Sequence, residues 1–118
     1  MSKVCIMTKI LNVSIGQFTS KGRKQVNQDC HGVMIPSAPL LNSKGLALAL
    51  ADGIRSGNVS PIAGATAING FIEDYYSTSE AWSVKTSAQR VLRATNSWLF
   101  AQTQNSPYRF NKDKGYIC

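Results

Sequence analysis

The sequence predicts an α+β domain in which antiparallel strands come first and two antiparallel helices follow. Three observations predict it. Two-residue alternation and short apolar runs are confined to the first half of the chain, where they mark strands. Apolar residues at helical spacing take over after Ser60-Pro61. The length of 118 residues suits a single core, since domains run to roughly 100 to 200 residues. Residues 1–118 are therefore read as one domain.

From Leu11 to about residue 19, Leu11, Val13 and Ile15 alternate with Asn12, Ser14 and Gly16, the pattern of a half-buried strand. The polar, basic stretch Ser20 to Gln25 is a loop. A second strand is expected over 29–35 (DCHGVMI). Pro36-Ser37-Ala38-Pro39 and Asn42-Ser43-Lys44-Gly45 punctuate a connection. The run LALALA over 46–51 has the length of a buried third strand and ends at Asp52-Gly53.

A helix is expected over about 60–76, with Ser60 as cap and Pro61 in its first turn. Its apolar stripe reads Ile62, Ala65, Ile68, Ile72 and Tyr75, weakened by Gly64 and Gly70. A second helix over about 80–104 is the clearest element, with Ser79 as cap. Val84, Ala88, Val91, Thr95, Trp98 and Gln102 form its face, and Leu92 and Leu99 widen it. After the polar loop 105–114, residues 115–118 (GYIC) read as the start of a strand. A domain seldom stops on such a step, which suggests a truncated chain.

Composition narrows the classes. Hydrophobic residues make up 43% of the chain and charged residues 16%, too apolar for disorder. No run approaches the roughly 18 apolar residues of a membrane span, and Lys3 and Lys9 interrupt the first ten residues. Cys5, Cys30 and Cys118 form an odd set without C-x-x-C spacing, indicating neither a disulfide framework nor a zinc site. A soluble, cytoplasmic protein without a membrane partner is the expectation.

The net charge of +7 suggests an anionic partner. Before residue 73 the only acids are Asp29 and Asp52, set among Lys3, Lys9, Lys21, Arg23, Lys24, Lys44 and Arg55. If the second and third strands pair across a connection centred near residue 40, position i faces position 81 minus i, and Asp29 faces Asp52. Ionised carboxylates so placed repel unless a cation lies between them. A divalent metal satisfies this, since carboxylates near exposed carbonyls supply the hard oxygens that Mg²⁺ or Mn²⁺ favours. The plainer alternative is a strand start and a turn, with Arg23, Lys24 or Arg55 neutralising both acids.

Residues 22–29 (GRKQVNQD), followed by LALALADG and two amphipathic helices, resemble the start of the PPM-type, or protein phosphatase 2C, family of metal-dependent serine/threonine phosphatases. The resemblance covers about residues 12–118. It implies the N-terminal half of an α-β-β-α sandwich and metal-dependent hydrolysis of phosphoserine or phosphothreonine, with two Mn²⁺ or Mg²⁺ ions in the complete site. It assigns Asp52 as the bridging ligand, the Gly53 carbonyl to one metal and Asp29 to the second. Phosphate would be held by Arg23 or Lys24. The family's arginine falls at Lys24, and Arg23 lies one position early.

Other departures are Gln28, where many members carry glutamate, and residues 54–58 (IRSGN), where the family is glycine-rich with a histidine. Arg55 reads as a partner for a carboxylate. The family's second half supplies further metal-binding aspartates that this chain lacks. With two carboxylates a metal keeps mostly water and binds weakly, so the 118-residue chain is expected to be inactive alone. A phosphoprotein substrate belongs to the completed domain, and exposed strand edges invite self-association.

His31, the single histidine, reads as exposed or hydrogen-bonded. Cys30 reads as a small buried hydrophobe. Trp82, Trp98, Phe71, Tyr75, Tyr76 and Phe100 read as helix residues packing on the sheet, and Lys85, Arg90 and Arg93 as a solvated face. Tyr108, Arg109 and Lys112 lie in a loop without a legible role. A small basic nucleic-acid-binding module is the main rival, disfavoured because it has charge but no helix-turn-helix, zinc or aromatic RNA-binding motif. A non-catalytic regulatory protein on the phosphatase scaffold is the third alternative.

Overall fold

A computed structural model describes residues 12–53, 59–111 and 114–118. The sequence readings placed on residues 1–11, on 54–58 with Arg55, and on Lys112 and Asp113 lie outside the described residues. The fold is mixed α and β, with elements in the order β1 (Asp29–Met34), α1 (Leu40–Lys44), β2 (Ala47–Asp52), α2 (Ser60–Ser77) and α3 (Val84–Gln104). No described helix is long and apolar enough to cross a membrane.

β1 and β2 form a two-stranded antiparallel sheet. Asp29 stands opposite Asp52, Cys30 opposite Ala51 and Met34 opposite Ala47, the register expected from a connection centred near residue 40. That connection holds α1, an element the Pro-Gly punctuation concealed. α2 covers one face of the sheet. Gly32 makes this approach feasible, because a Cβ there would lie 2.6 Å from Ile68 Cγ2 and 3.0 Å from Ile72 Cδ1. α3 packs on α2 rather than on the strands.

Several expectations need correction. Residues 12–19 form no strand. Side-chain bonds attach this segment instead: Gln17 Oε1 lies 2.7 Å from His31 Nε2, and Asn27 Nδ2 donates to Thr19 Oγ1 at 2.8 Å. Alternation describes side chains only, and a strand also needs a ladder partner. Ile15 is 44% and Phe18 91% exposed, so no core lies behind them. Residues 115–118 are not a strand either. Gly115 is buried against Thr103, the Tyr116 N–H donates to Thr103 Oγ1 at 2.9 Å, and the Ile117 N–H turns back to the Gly115 carbonyl at 3.0 Å.

β2 is buried on one face only. Leu48 and Leu50 are 69% and 79% exposed, whereas Ala47 is buried, because a single helix layer covers the sheet. The helix stripes differ similarly. α2 buries Ser60, Ala63, Gly64, Ile68 and Tyr75 and leaves Ile62 exposed. α3 buries Ser87, Val91, Leu99 and Thr103 and exposes Leu92, Trp98 and Phe100. Trp98 and Phe100 therefore do not pack on the sheet, and Trp82 is covered by the Arg90 guanidinium, 4.4 Å from its ring centre. α3 begins at Val84 because Ser83, not Ser79, is its cap: the Ser83 hydroxyl accepts from the Thr86 N–H at 3.1 Å.

The α1–β2 corner is fixed by polar contacts. Tyr75 Oη donates to the Lys44 carbonyl at 2.6 Å, and Tyr76 Oη to the Gly45 carbonyl at 2.9 Å. Burial pushes both phenols above their ordinary value, with the charge of Tyr75 adding to the shift at Tyr76. A raised phenol stabilises the fold fully below the ordinary pKa of about 10 and loses that contribution as pH rises through the folded value. Stability should therefore decline above about pH 10. Tyr75→Phe should leave a buried carbonyl without its donor and cost about 1–2 kcal/mol in urea unfolding, while flattening the alkaline decline.

Candidate functional site

The two carboxylates meet at the open end of the hairpin, and the ladder fixes how closely. The Gly53 N–H donates to the Gln28 carbonyl at 3.0 Å, which makes the opposed residues 28 and 53 a hydrogen-bonded pair. Pair types alternate along an antiparallel ladder, so Asp29 and Asp52 form a non-hydrogen-bonded pair, the type with Cα atoms only about 4.5 Å apart and side chains closest. Both residues are exposed.

The face on which they lie follows from parity. Residues 30, 32 and 34 of β1 and 47, 49 and 51 of β2 face α2, so Asp29, His31 and Val33 share the other face with Asp52, Leu50 and Leu48. The carboxylates thus close one end of an exposed, mainly apolar sheet face. Asn27 shapes their approach: its Oδ1 accepts from the Asp29 N–H at 3.1 Å while its Nδ2 reaches Thr19. Among the described residues no side chain donates to either carboxylate.

Gly53 is buried directly behind the pair. A Cβ there would lie 2.8 Å from Ser60 Cβ, 3.1 Å from the Gln28 carbonyl and 3.2 Å from the Ser60 carbonyl. Only glycine lets the end of β2 pass so close to the start of α2.

Arg23 and Lys24 lie in an exposed turn, in which the Lys24 N–H donates to the Lys21 carbonyl at 3.1 Å and Gly22 takes a φ of 58°. Neither bonds to Asp29 or Asp52, and Arg55, the third residue that the plainer alternative offered, lies outside the described residues. His31 shares the carboxylates' face but is engaged by Gln17. No group of three or more His, Cys, Asp or Glu among the described residues is arranged to hold a metal. The two opposed carboxylates can offer hard oxygen ligands to part of a divalent cation's shell, with water completing it.

Lys44 is a further polar centre that its sequence did not disclose. It is 2% exposed, and its ammonium donates to the Ser79 carbonyl at 2.9 Å, the Trp82 carbonyl at 3.0 Å and Ser87 Oγ at 2.7 Å. With every donor engaged by a neutral oxygen, it ties α1 to the connection between α2 and α3.

Cys30 is partly buried over the start of α2, with Sγ 3.8 Å from the Pro61 carbonyl. Cys118 is exposed as a residue, but crowding of its sulfur pushes the thiol above its ordinary value, and the Cys30 thiol adds to this. Compared with protein-family models, curated proteins and solved structures, the chain finds no match.

Proposed function

We propose that this chain is a metal-dependent phosphatase half-site of the PPM type: the N-terminal portion of a domain that hydrolyses phosphoserine or phosphothreonine in proteins, inactive by itself. The observation that supports the reading is the opposition of Asp29 and Asp52 in the closest pair type of the ladder, exposed and without a cationic side chain among the described residues. Uncompensated like charges at that spacing are unfavourable, and a hard divalent cation relieves them.

The residues fit Mn²⁺ or Mg²⁺ in part. Asp29 and Asp52 would hold it, with the Gly53 carbonyl beside them. Bound there, such a metal supplies Lewis acidity and a water of lowered pKa. The chain's own residues set the geometry. The 28–53 hydrogen bond and the close passage of Gly53 past Ser60 hold Asp52 in register, Asn27 directs the backbone into Asp29, and Arg23 or Lys24 is available for a phosphate. Arg23 is the better bidentate clamp.

Calorimetric titration with Mn²⁺ tests the reading. Weak, millimolar-range binding is expected, as two carboxylates and mostly water ligands dictate, and Asp52→Asn should abolish it. Equal heats from both proteins would overturn the metal assignment. Purified chain should show no Mn²⁺-dependent turnover of a phosphopeptide; turnover removed by Asp52→Asn would refute the half-site description.

A further inference from the structure

We propose that the free edge of β2 and the groove beside it form a docking site for an extended peptide segment of a protein partner, received as an added strand with a basic residue next to Asp52. The inference concerns the 118-residue chain by itself and is argued from its strand edge and groove, not from the metal site.

The backbone supplies the first half of the argument. Because residues 28 and 53 form a hydrogen-bonded pair, residues 47, 49, 51 and 53 direct their N–H and C=O groups to β1. Leu48, Leu50 and Asp52 therefore direct theirs outward, and no loop or inter-element backbone bond to a described residue engages them. This is a row of alternating donors and acceptors at strand spacing, the element that strand addition requires.

The groove supplies the second half. A cavity of about 590 Å³ runs along this edge, bounded by Leu48 to Asp52, by Ile68 and Phe71 of α2 and by Leu92 and Leu99 of α3. α3 thus already lies beneath the place that the next strand would take. An incoming strand would find its hydrogen-bonding row on one side and an apolar floor below, where alternate side chains can be buried.

That floor decides the occupant. A second copy pairing through its own β2 by a two-fold axis normal to the sheet would bring its α2 on the same side, into the space held by α3. A bare extended segment brings no helix layer and fits. The charge then sets its chemistry. Among the described residues Asp52 is the only charged residue lining the groove; its side chain lies at the strand edge on the face away from α2, and Asp29 stands opposite it. The segment should alternate small apolar residues and carry a lysine or arginine at the Asp52 end.

The test is amide hydrogen exchange on the 118-residue chain with and without 1 mM of the synthetic heptapeptide KVTVSVG, blocked at both ends. Exchange at Leu48, Leu50 and Asp52 should slow by about tenfold or more, with Ala49 and Ala51 little changed because they already bond to β1. The same peptide N-methylated at alternate residues should give no protection, and Asp52→Lys should weaken binding severalfold without changing the far-ultraviolet spectrum. Unchanged exchange at 1 mM peptide would overturn the proposal, as would equal protection by the N-methylated peptide. So would protection of the same amides without peptide in a sample that sediments as a dimer, which would make a second copy the occupant.

Discussion

Lys44→Met should destabilise the protein by about 2–4 kcal/mol, the largest loss expected from any single side chain outside the apolar core. The estimate follows from what remains after substitution. Methionine keeps the aliphatic stem but withdraws three donors from Ser79, Trp82 and Ser87. The Ser79 carbonyl retains the Trp82 N–H at 3.1 Å, and the Ser87 hydroxyl retains Thr78 Oγ1 at 2.8 Å. The Trp82 carbonyl has no such replacement among the described residues. Hydrogen bonds to charged groups contribute about 1.5–3 kcal/mol, and a buried acceptor left unmade costs about 1–3 kcal/mol; removal of a buried charge offsets part of this.

A domain of this size has about 5–15 kcal/mol in all, so the midpoint of thermal unfolding should fall by roughly 10 °C or more. All three acceptors are neutral, so raising the salt concentration should leave the loss unchanged, whereas an ion pair would be screened. A variant within 0.5 kcal/mol of the parent, or a loss that shrinks with salt, would show that Lys44 does not connect the elements as described. No function need be invoked for its burial: the ammonium sits just beyond the C-terminal end of α2, where the helix dipole also favours a cation.

What the sequence disclosed and what it hid divide along physical lines. The opposition of Asp29 and Asp52 was legible because two apolar runs flanking a punctuated connection leave one plausible register, and register is a matter of counting. The extents of α2 and the end of α3 were legible from periodicity and proline. The false strand at residues 12–19 shows the converse. Leu11, Val13 and Ile15 alternate as a strand should, but nothing local records whether a ladder partner exists.

The helix faces were legible in part for a related reason. Ile68 and Tyr75 of α2 and Val91 and Leu99 of α3 are buried as their spacing predicts, but Ile62, Leu92 and Trp98 are exposed and the contact is completed by Ser60, Ala63, Gly64, Ser87 and Thr103, small or polar residues that permit close approach. Lys44 was invisible because a lysine in a loop reads as solvated. Only the connection between α2 and α3, distant in sequence, explains its burial.

Gly53→Ala and Gly70→Ala should move stability in opposite directions, although each adds the same methyl group. At Gly53 the new Cβ would lie 2.8 Å from Ser60 Cβ and within 3.2 Å of two backbone carbonyls. None of these is the flexible end of a side chain, so β2 and α2 must separate, at a cost of about 1–3 kcal/mol for an overpacked contact. Gly70 lies within α2 and a Cβ there meets nothing within 4 Å, so alanine should stabilise by about 0.5–1 kcal/mol through helix propensity. Urea unfolding of the two variants checks both signs.

Gly53 also connects packing to the site. Its N–H bond to Gln28 sets the pair type of Asp29 and Asp52, so a shift large enough to admit a methyl group must disturb their spacing. Gly53→Ala should therefore weaken Mn²⁺ binding at temperatures where the variant is still folded, and Gly70→Ala should leave it unchanged. If the Gly53 variant lost stability yet bound Mn²⁺ like the parent, the carboxylate pair would not depend on this register, and the metal would have to be held by one aspartate alone.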